Sequence, residues 1–264
     1  MRKGVIIKFL NILCIALFAS CSNNESDKDT IPNEKSILIK KITETIYYSN
    51  DSDVNVLDFS YEKDVLKTVT SGKYKSEFIY DGNKINKVNY FVDEIASGFT
   101  TFYYKGDFLS YTLSGEDQDE KTEYSYVDGI LASQKSGYFS GANYKVQKEL
   151  SYSFDQAKNI VQIKSKSSMF GSETISKSNY YYDNKNHPMK FMNKYYRLVF
   201  ELEGFDGIAA NNVISREYYY PVTSETPSYF NYEIIYNDDN FPIEIQKIAK
   251  ANNDLISKTV IEYR

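Results

Sequence analysis

An aromatic residue, any residue, a second aromatic, a turn and then an apolar residue: this order recurs along the chain. It reads FSYEKDVL at Phe59, FIYDGNKI at Phe78, FYYKGDFL at Phe102, YSYVDGIL at Tyr124, YSFDQAKNI at Tyr152 and YYYDNKNHPM at Tyr180. A looser copy, IIYNDDNFPI, begins at Ile234, and IEY stands just before Arg264. The second aromatics are 19 residues apart from Tyr61 to Tyr80, then 24 to Tyr104, 22 to Tyr126, 28 to Phe154 and 28 to Tyr182. The step from Tyr182 to Tyr236 is 54, about two periods, and 27 more lead to Tyr263. A period of this length holds two strands and two turns, so each unit predicts one β-hairpin.

The polar insert of each unit fits that reading. Asp-Gly, Lys-Gly-Asp, Val-Asp-Gly and Asn-Asp-Asp-Asn occupy the same place in successive copies. These residues tolerate positive φ or bond their own backbone, so the step at Asp81-Gly82 predicts a hairpin turn and not a ligand loop. Elsewhere the period is two: Val161, Ile163 and Ser165 are expected on one face, Gln162, Lys164 and Lys166 on the other. No window carries a sustained helical stripe. With 26 Tyr, 16 Phe and no Trp, the composition suits a pleated, half-buried surface. The expected fold is all-β, an antiparallel meander of repeated hairpins curled into an open or closed barrel-like sheet, one domain over residues 36–264.

The start of the chain reads differently. Arg2, Lys3 and Lys8 lead into an apolar run, Phe9 to Ala19, the order of an export signal over residues 1–20. The run is too short to span a bilayer, which takes about 20 apolar residues. LFASC resembles the lipobox of bacterial lipoproteins, and this resemblance implies lipidation of Cys21. Residues 21–35 are polar and acidic, without an aromatic, and read as a flexible leash. Glu25, Asp27 and Asp29 resemble the acidic stretch that follows the cysteine in surface-displayed lipoproteins of the Bacteroides type. The expected location is the outer membrane, lipid-anchored, on the cell surface or the periplasmic face.

Composition then narrows the chemistry. Cys14 lies in the leader and Cys21 would carry lipid, so the mature body has no thiol for a disulfide, a nucleophile or a thiolate metal site. The single histidine, His187, precedes Pro188 and is expected as a solvated turn residue. The net charge is -5, and loss of three basic residues with the leader takes it to -8, without the clustered Lys and Arg of a nucleic-acid binder. Asp51, Asp53, Asn55 and Glu62 fall at calcium-loop spacing, but Val56 stands where such a loop needs Gly, so the match is read as chance. No cofactor is expected.

The Tyr-Asp turn repeats resemble the YD repeats of the Rhs type. Together with the lipobox they are similar to a family of uncharacterised Bacteroides lipoproteins described as porin-like in fold. The resemblance spans Ser36 to Arg264 and implies a meander curled towards a barrel; it supplies no catalytic residues. A membrane-spanning barrel is disfavoured because Lys and Glu stand on many strands, and a lipid-facing charge at mid-depth costs about 2 to 4 kcal/mol.

Two segments are candidates for function. SGYFSGANY, Ser136 to Tyr144, offers Tyr138, Phe139 and Tyr144 as an aromatic platform, or as rings folded back from a wide loop. Glu203 to Tyr232 breaks the repeat, with Tyr218, Tyr219 and Tyr220 ahead of Pro221 and Pro227, and is expected as an insertion capping one end of the sheet or as a lid. The preferred function is a non-catalytic binding module for an extended ligand such as a glycan. The alternatives are a scaffold pairing with another envelope protein through sheet edges or Tyr-rich surface, and a glycosidase using acids such as Glu116 with Asp119.

Overall fold

The computed structural model describes residues 36–264 apart from 116, 170, 171, 203 and 204. The segments expected as signal and leash, Cys21 and Glu116 lie outside the described residues. The first half of the body runs through β1 (Ile39–Tyr47), β2 (Ser52–Glu62), β3 (Val65–Ser71), β4 (Tyr74–Asp81), β5 (Lys84–Val92) and β6 (Ile95–Lys105). Next come β7 (Phe108–Ser114), β8 (Glu120–Val127), β9 (Ile130–Ser140), β10 (Asn143–Phe154), β11 (Ile160–Met169) and β12 (Ser172–Tyr182). A short helix α1 (Lys194–Val199) and a small ribbon of β13 (Glu201–Leu202) and β14 (Phe205–Asp206) follow. The chain ends with β15 (Val213–Tyr219), β16 (Ser228–Tyr236), β17 (Pro242–Ala249) and β18 (Asp254–Tyr263). Sixteen strands pair antiparallel in sequence order, β12 with β15, and β18 returns to β1 to close a barrel.

The repeat is a bulged hairpin. Tyr80 pairs with Ile85 but Ile79 with Lys87, leaving Asn86 as the extra residue. The same skip follows the pairs Tyr61–Leu66, Tyr104–Leu109, Tyr126–Leu131 and Phe154–Ile160. It recurs after Tyr182–Val213, Tyr236–Pro242 and, at the seam, Tyr263–Ile39. A bulge shifts the two-residue alternation by one, so inward side chains beyond each turn stand three apart. Ile85 with Val88, Ile39 with Ile42 and Pro242 with Ile245 are buried in this way. The expected face of Val161 is corrected on the same ground: it is the bulged residue, and Ile160, 1% exposed, takes the inward place before Ile163. The turn at Asp81 is a hairpin as expected, with Asp81 paired to Lys84 and Gly82 at φ +59° between them.

All these turns lie at one end, where the interior carries two aromatic tiers. Phe59, Phe78, Phe102 and Tyr124 are buried in the first. The second aromatics form a collar whose hydroxyls bind the neighbouring hairpin: Tyr61 donates to the Ile39 carbonyl at 2.8 Å, Tyr104 to Ile85 at 2.6 Å, Tyr182 to Ile160 at 2.8 Å and Tyr263 to Pro242 at 2.7 Å.

A sixteen-stranded barrel is too wide for its own side chains to fill. The described residues of 183–212, between β12 and β15, fill it at the collar end. Met189, Met192, Tyr195 and Tyr196 of this plug join the core. Tyr196 meets Phe59 and Phe78 edge-on at 6.4 and 5.4 Å, and Tyr195 meets Tyr104 at 4.8 Å. The Asn193 side chain caps α1, accepting from Tyr195 N at 2.9 Å, and donates to the Asn83 carbonyl of a barrel turn at 2.9 Å. The 54-residue step is therefore one hairpin plus the plug, not two hairpins. The insertion begins some twenty residues earlier than Glu203 and enters the barrel instead of capping it. Pro221 and Pro227 lie in the loop between β15 and β16. His187, expected in solvent, is 2% exposed within the plug, its Nδ1 accepting from Met189 N at 3.1 Å.

Candidate functional site: a cup in the barrel mouth

Above the plug the inner wall changes character. β11 and β12 place Ser165, Ser176 and Ser178 inward, where other strands place rings and branched chains. Small side chains on adjacent strands leave space, and the result is a cavity of about 560 Å³ floored by the plug at Leu198, Phe200 and Ile208. Its wall runs from Gln134 on β9 through Lys148 and Tyr152 on β10 to Tyr232 on β16. A smaller cavity of about 290 Å³ lies on the other side of the plug, sharing Leu198 and Ile208 with the first.

Arg216 stands out in this wall. It is three residues after Val213, the place where other hairpins hold Val88, Ile42 or Ile245. Its Nε and Nη2 donate to Ser178 Oγ at 3.3 and 3.0 Å, and its guanidinium lies 5.5 Å from the Tyr180 ring and 5.2 Å from Tyr218. Arg197, from the plug, donates to the carbonyls of Gly207 and Ala209 at 2.6 Å each. With Lys148, three cations line the cavity, and none of the described residues lining it is acidic. Sequence reading missed Arg216; the signal was a charge in the apolar position of the repeat.

The predicted residues divide between the two faces. Tyr218 lines the cup and Tyr220 stacks beside it at 6.3 Å and 15°, carrying an aromatic strip to the rim. Tyr219 points outward beneath Lys177, whose Nζ is 4.0 Å from the ring, and donates to Glu217 at 3.2 Å. Tyr138 and Phe139 are consecutive in β9 and so lie on opposite faces. Phe139 and Tyr144 are neighbours on the outer wall at 5.5 Å, and Tyr144 donates to the carbonyls of Lys121 and Lys135 at 3.1 Å. The wide loop expected at Ser136–Tyr144 is two strands joined by Gly141 and Ala142. Asp53, Asn55 and Glu62 lie along the extended β2, which keeps them apart.

The outer wall is charged at mid-strand. Lys135 meets Glu149 at 3.3 Å, Lys166 meets Glu173 at 2.7 Å and Lys258 meets Glu244 at 2.8 Å. Donors on Asn179, Tyr181 and Tyr219 hold the Glu217 carboxyl below the usual range.

No family model and no curated protein matches this chain. Among solved structures, a porin-like protein from Bacteroides vulgatus is 14% identical, with 87% of this chain and 99% of that one covered at a TM-score of 0.49. A porin-like protein from Bacteroides uniformis is 9% identical, with 86% and 97% covered at a TM-score of 0.57. The second likeness bears on the fold alone: this chain, a sixteen-stranded antiparallel barrel, is similar in fold to a porin-like protein of Bacteroides uniformis.

Proposed function

We propose that the chain is a lipid-anchored envelope protein whose barrel stands in water and holds an extended ligand, such as a glycan, in the cup without turning it over. The cup carries the reading. It is closed below by the plug, and its wall alternates aromatic rings, which stack on sugar faces, with serine hydroxyls, which bond sugar hydroxyls. The outer ion pairs support a water-facing barrel, because charges at lipid mid-depth are costly while the same pairs in water are not. Pairing with a partner through a sheet edge loses its basis, since the closed ladder offers no free edge.

A glycan array probed with the intact chain tests the reading. We expect binding to a restricted set of polysaccharides, weakened at least tenfold by Tyr218→Ala with Tyr220→Ala and untouched by Tyr219→Ala on the outer wall. Absence of binding across host and bacterial glycans would overturn it. Anchoring is tested apart: Cys21→Ala is expected to move the protein from the membrane to the soluble fraction, and unchanged fractionation would refute lipidation there.

A further inference from the structure

We infer that the smaller cavity, at the collar end, is a second site, which takes a neutral molecule of two fused aromatic rings carrying one acceptor for the Tyr126 hydroxyl. It is independent of the binding reading for the cup. The first observation is a break in the collar. Tyr61, Tyr104, Tyr182 and Tyr263 each donate to the carbonyl of the residue paired with the preceding collar aromatic. On that pattern Tyr126 belongs to the Leu109 carbonyl and residue 154 to that of Leu131. Neither bond forms. Residue 154 is Phe, the one collar position of the repeat without a hydroxyl. Tyr126 leans on Phe108 at 4.9 Å instead, and its hydroxyl bonds none of the described residues. Leu109, Tyr126, Leu131 and Phe154 all line the cavity, so the space opens where two collar bonds are missing.

The second observation is the lining. Phe108, Tyr126, Phe154 and Tyr195 present rings to a volume of about 290 Å³, and the plug closes it with Leu198 and Ile208. An apolar cavity of about 150 Å³ stays dry and takes one benzene ring, so nearly twice that volume suits a fused pair. The Tyr195 hydroxyl is engaged by the Asp107 carbonyl at 3.1 Å, which leaves that of Tyr126 to orient a ligand among the rings. Charge is confined to the exposed side chains of Asp107, Lys158 and Lys194, of both signs, so the interior favours a neutral guest. Phe108 and Ile130, 44% and 45% exposed, give the cavity an apolar approach from solvent.

Naphthalene and isoquinoline test this, because they share one outline and differ by the acceptor nitrogen of isoquinoline. Dissociation constants for the intact chain are measured by ligand-observed NMR, with isoquinoline as its neutral base. Both probes are expected to bind. Tyr126→Phe should weaken isoquinoline about fivefold, the loss of one hydrogen bond, and leave naphthalene within twofold. Phe154→Tyr restores the side chain found at the seven other collar positions, adds a hydroxyl beside Leu131 and should weaken both probes at least fivefold. It keeps the test valid if Tyr126→Phe fails to fold. Tyr104→Phe, whose hydroxyl is already held by Ile85, should change neither constant. Failure of isoquinoline to bind, binding indifferent to Phe154→Tyr, or an equal effect of Tyr126→Phe on the two probes would overturn the inference, and each leaves the reading of the cup as it stands.

Discussion

Two tyrosines in the same place in the repeat differ by one hydrogen bond. Tyr104 donates to the Ile85 carbonyl at 2.6 Å, whereas the buried hydroxyl of Tyr80 meets no partner among the described residues. Removing a satisfied hydroxyl loses a bond; removing an orphan relieves a desolvation penalty. Tyr104→Phe is expected to destabilise by about 0.5 to 1.5 kcal/mol, and Tyr80→Phe to be neutral or stabilising by about 1 kcal/mol, as read from denaturant midpoints. Both rings touch the plug or its neighbours, so Tyr→Ala at either should cost about 3 to 5 kcal/mol. Burial also raises the hydroxyl of Tyr80, and that of Tyr126, from the ordinary 10 to about 12. The raised value fixes the sign: stability is complete below pH 10, and above it the unfolded chain releases protons that the fold retains. The melting temperature should therefore fall steadily from pH 10 to 12, in step with tyrosinate absorbance; a flat profile there would place the collar rings in water.

At the level of hairpins and insertion, the sequence was legible wherever a local signal existed. Strand pairs, turns and the tier of aromatics follow from side-chain period and turn chemistry, and the spacing of three in INKV is the bulge itself. Val161 was misplaced because a one-residue slip is invisible to a period-two count. The plug was misplaced for a different reason: what buries Tyr195 and Tyr196 is a barrel wall contributed by strands far away in the chain, as with Phe59 against Tyr196, 196 - 59 = 137 residues apart. The cup was half legible. Tyr218 and Tyr220 were named, but Arg216 acquires meaning only once its register is known, and Tyr138 and Phe139 lose theirs for the same reason. Gly207 shows how tightly the plug folds on itself: a Cβ there would lie 2.2 Å from the Arg197 carbonyl oxygen. Gly207→Ala should lower stability by about 1 to 3 kcal/mol and loosen the carbonyl that Arg197 holds. Gly82→Ala meets open space, and its cost of about 1 kcal/mol would come from φ alone. Thermal melts of the two variants separate clash from strain.

For the molecule as a whole, the distribution of polarity is that of a filled vessel. Apolar rings and the plug occupy one half of the lumen, cations and hydroxyls the other, and ion pairs cover the outside. Leu38 and Ile39 enter β1 at the collar end, where Arg264 N donates to the Leu38 carbonyl at 2.9 Å.

The seam between β1 and β18 has a consequence for how such a sheet can be assembled. Apart from β12 and β15, which have the plug between them, every other ladder of the barrel joins neighbours along the chain, so its loop-closure entropy is small, while the seam brings together residues more than two hundred apart. The meander can zip in local steps, and only the last rung has to wait for all the rest. Because Ile39 and Tyr263 end side by side, a short linker from Arg264 to Ser36 would turn the seam into one more hairpin. New ends cut between Gly141 and Ala142 would in turn make β9 and β10 the late rung. Such a circular permutant should reach the same barrel with its slow step moved to the new break, since that step belongs to wherever the ring of strands is opened and not to any particular pair.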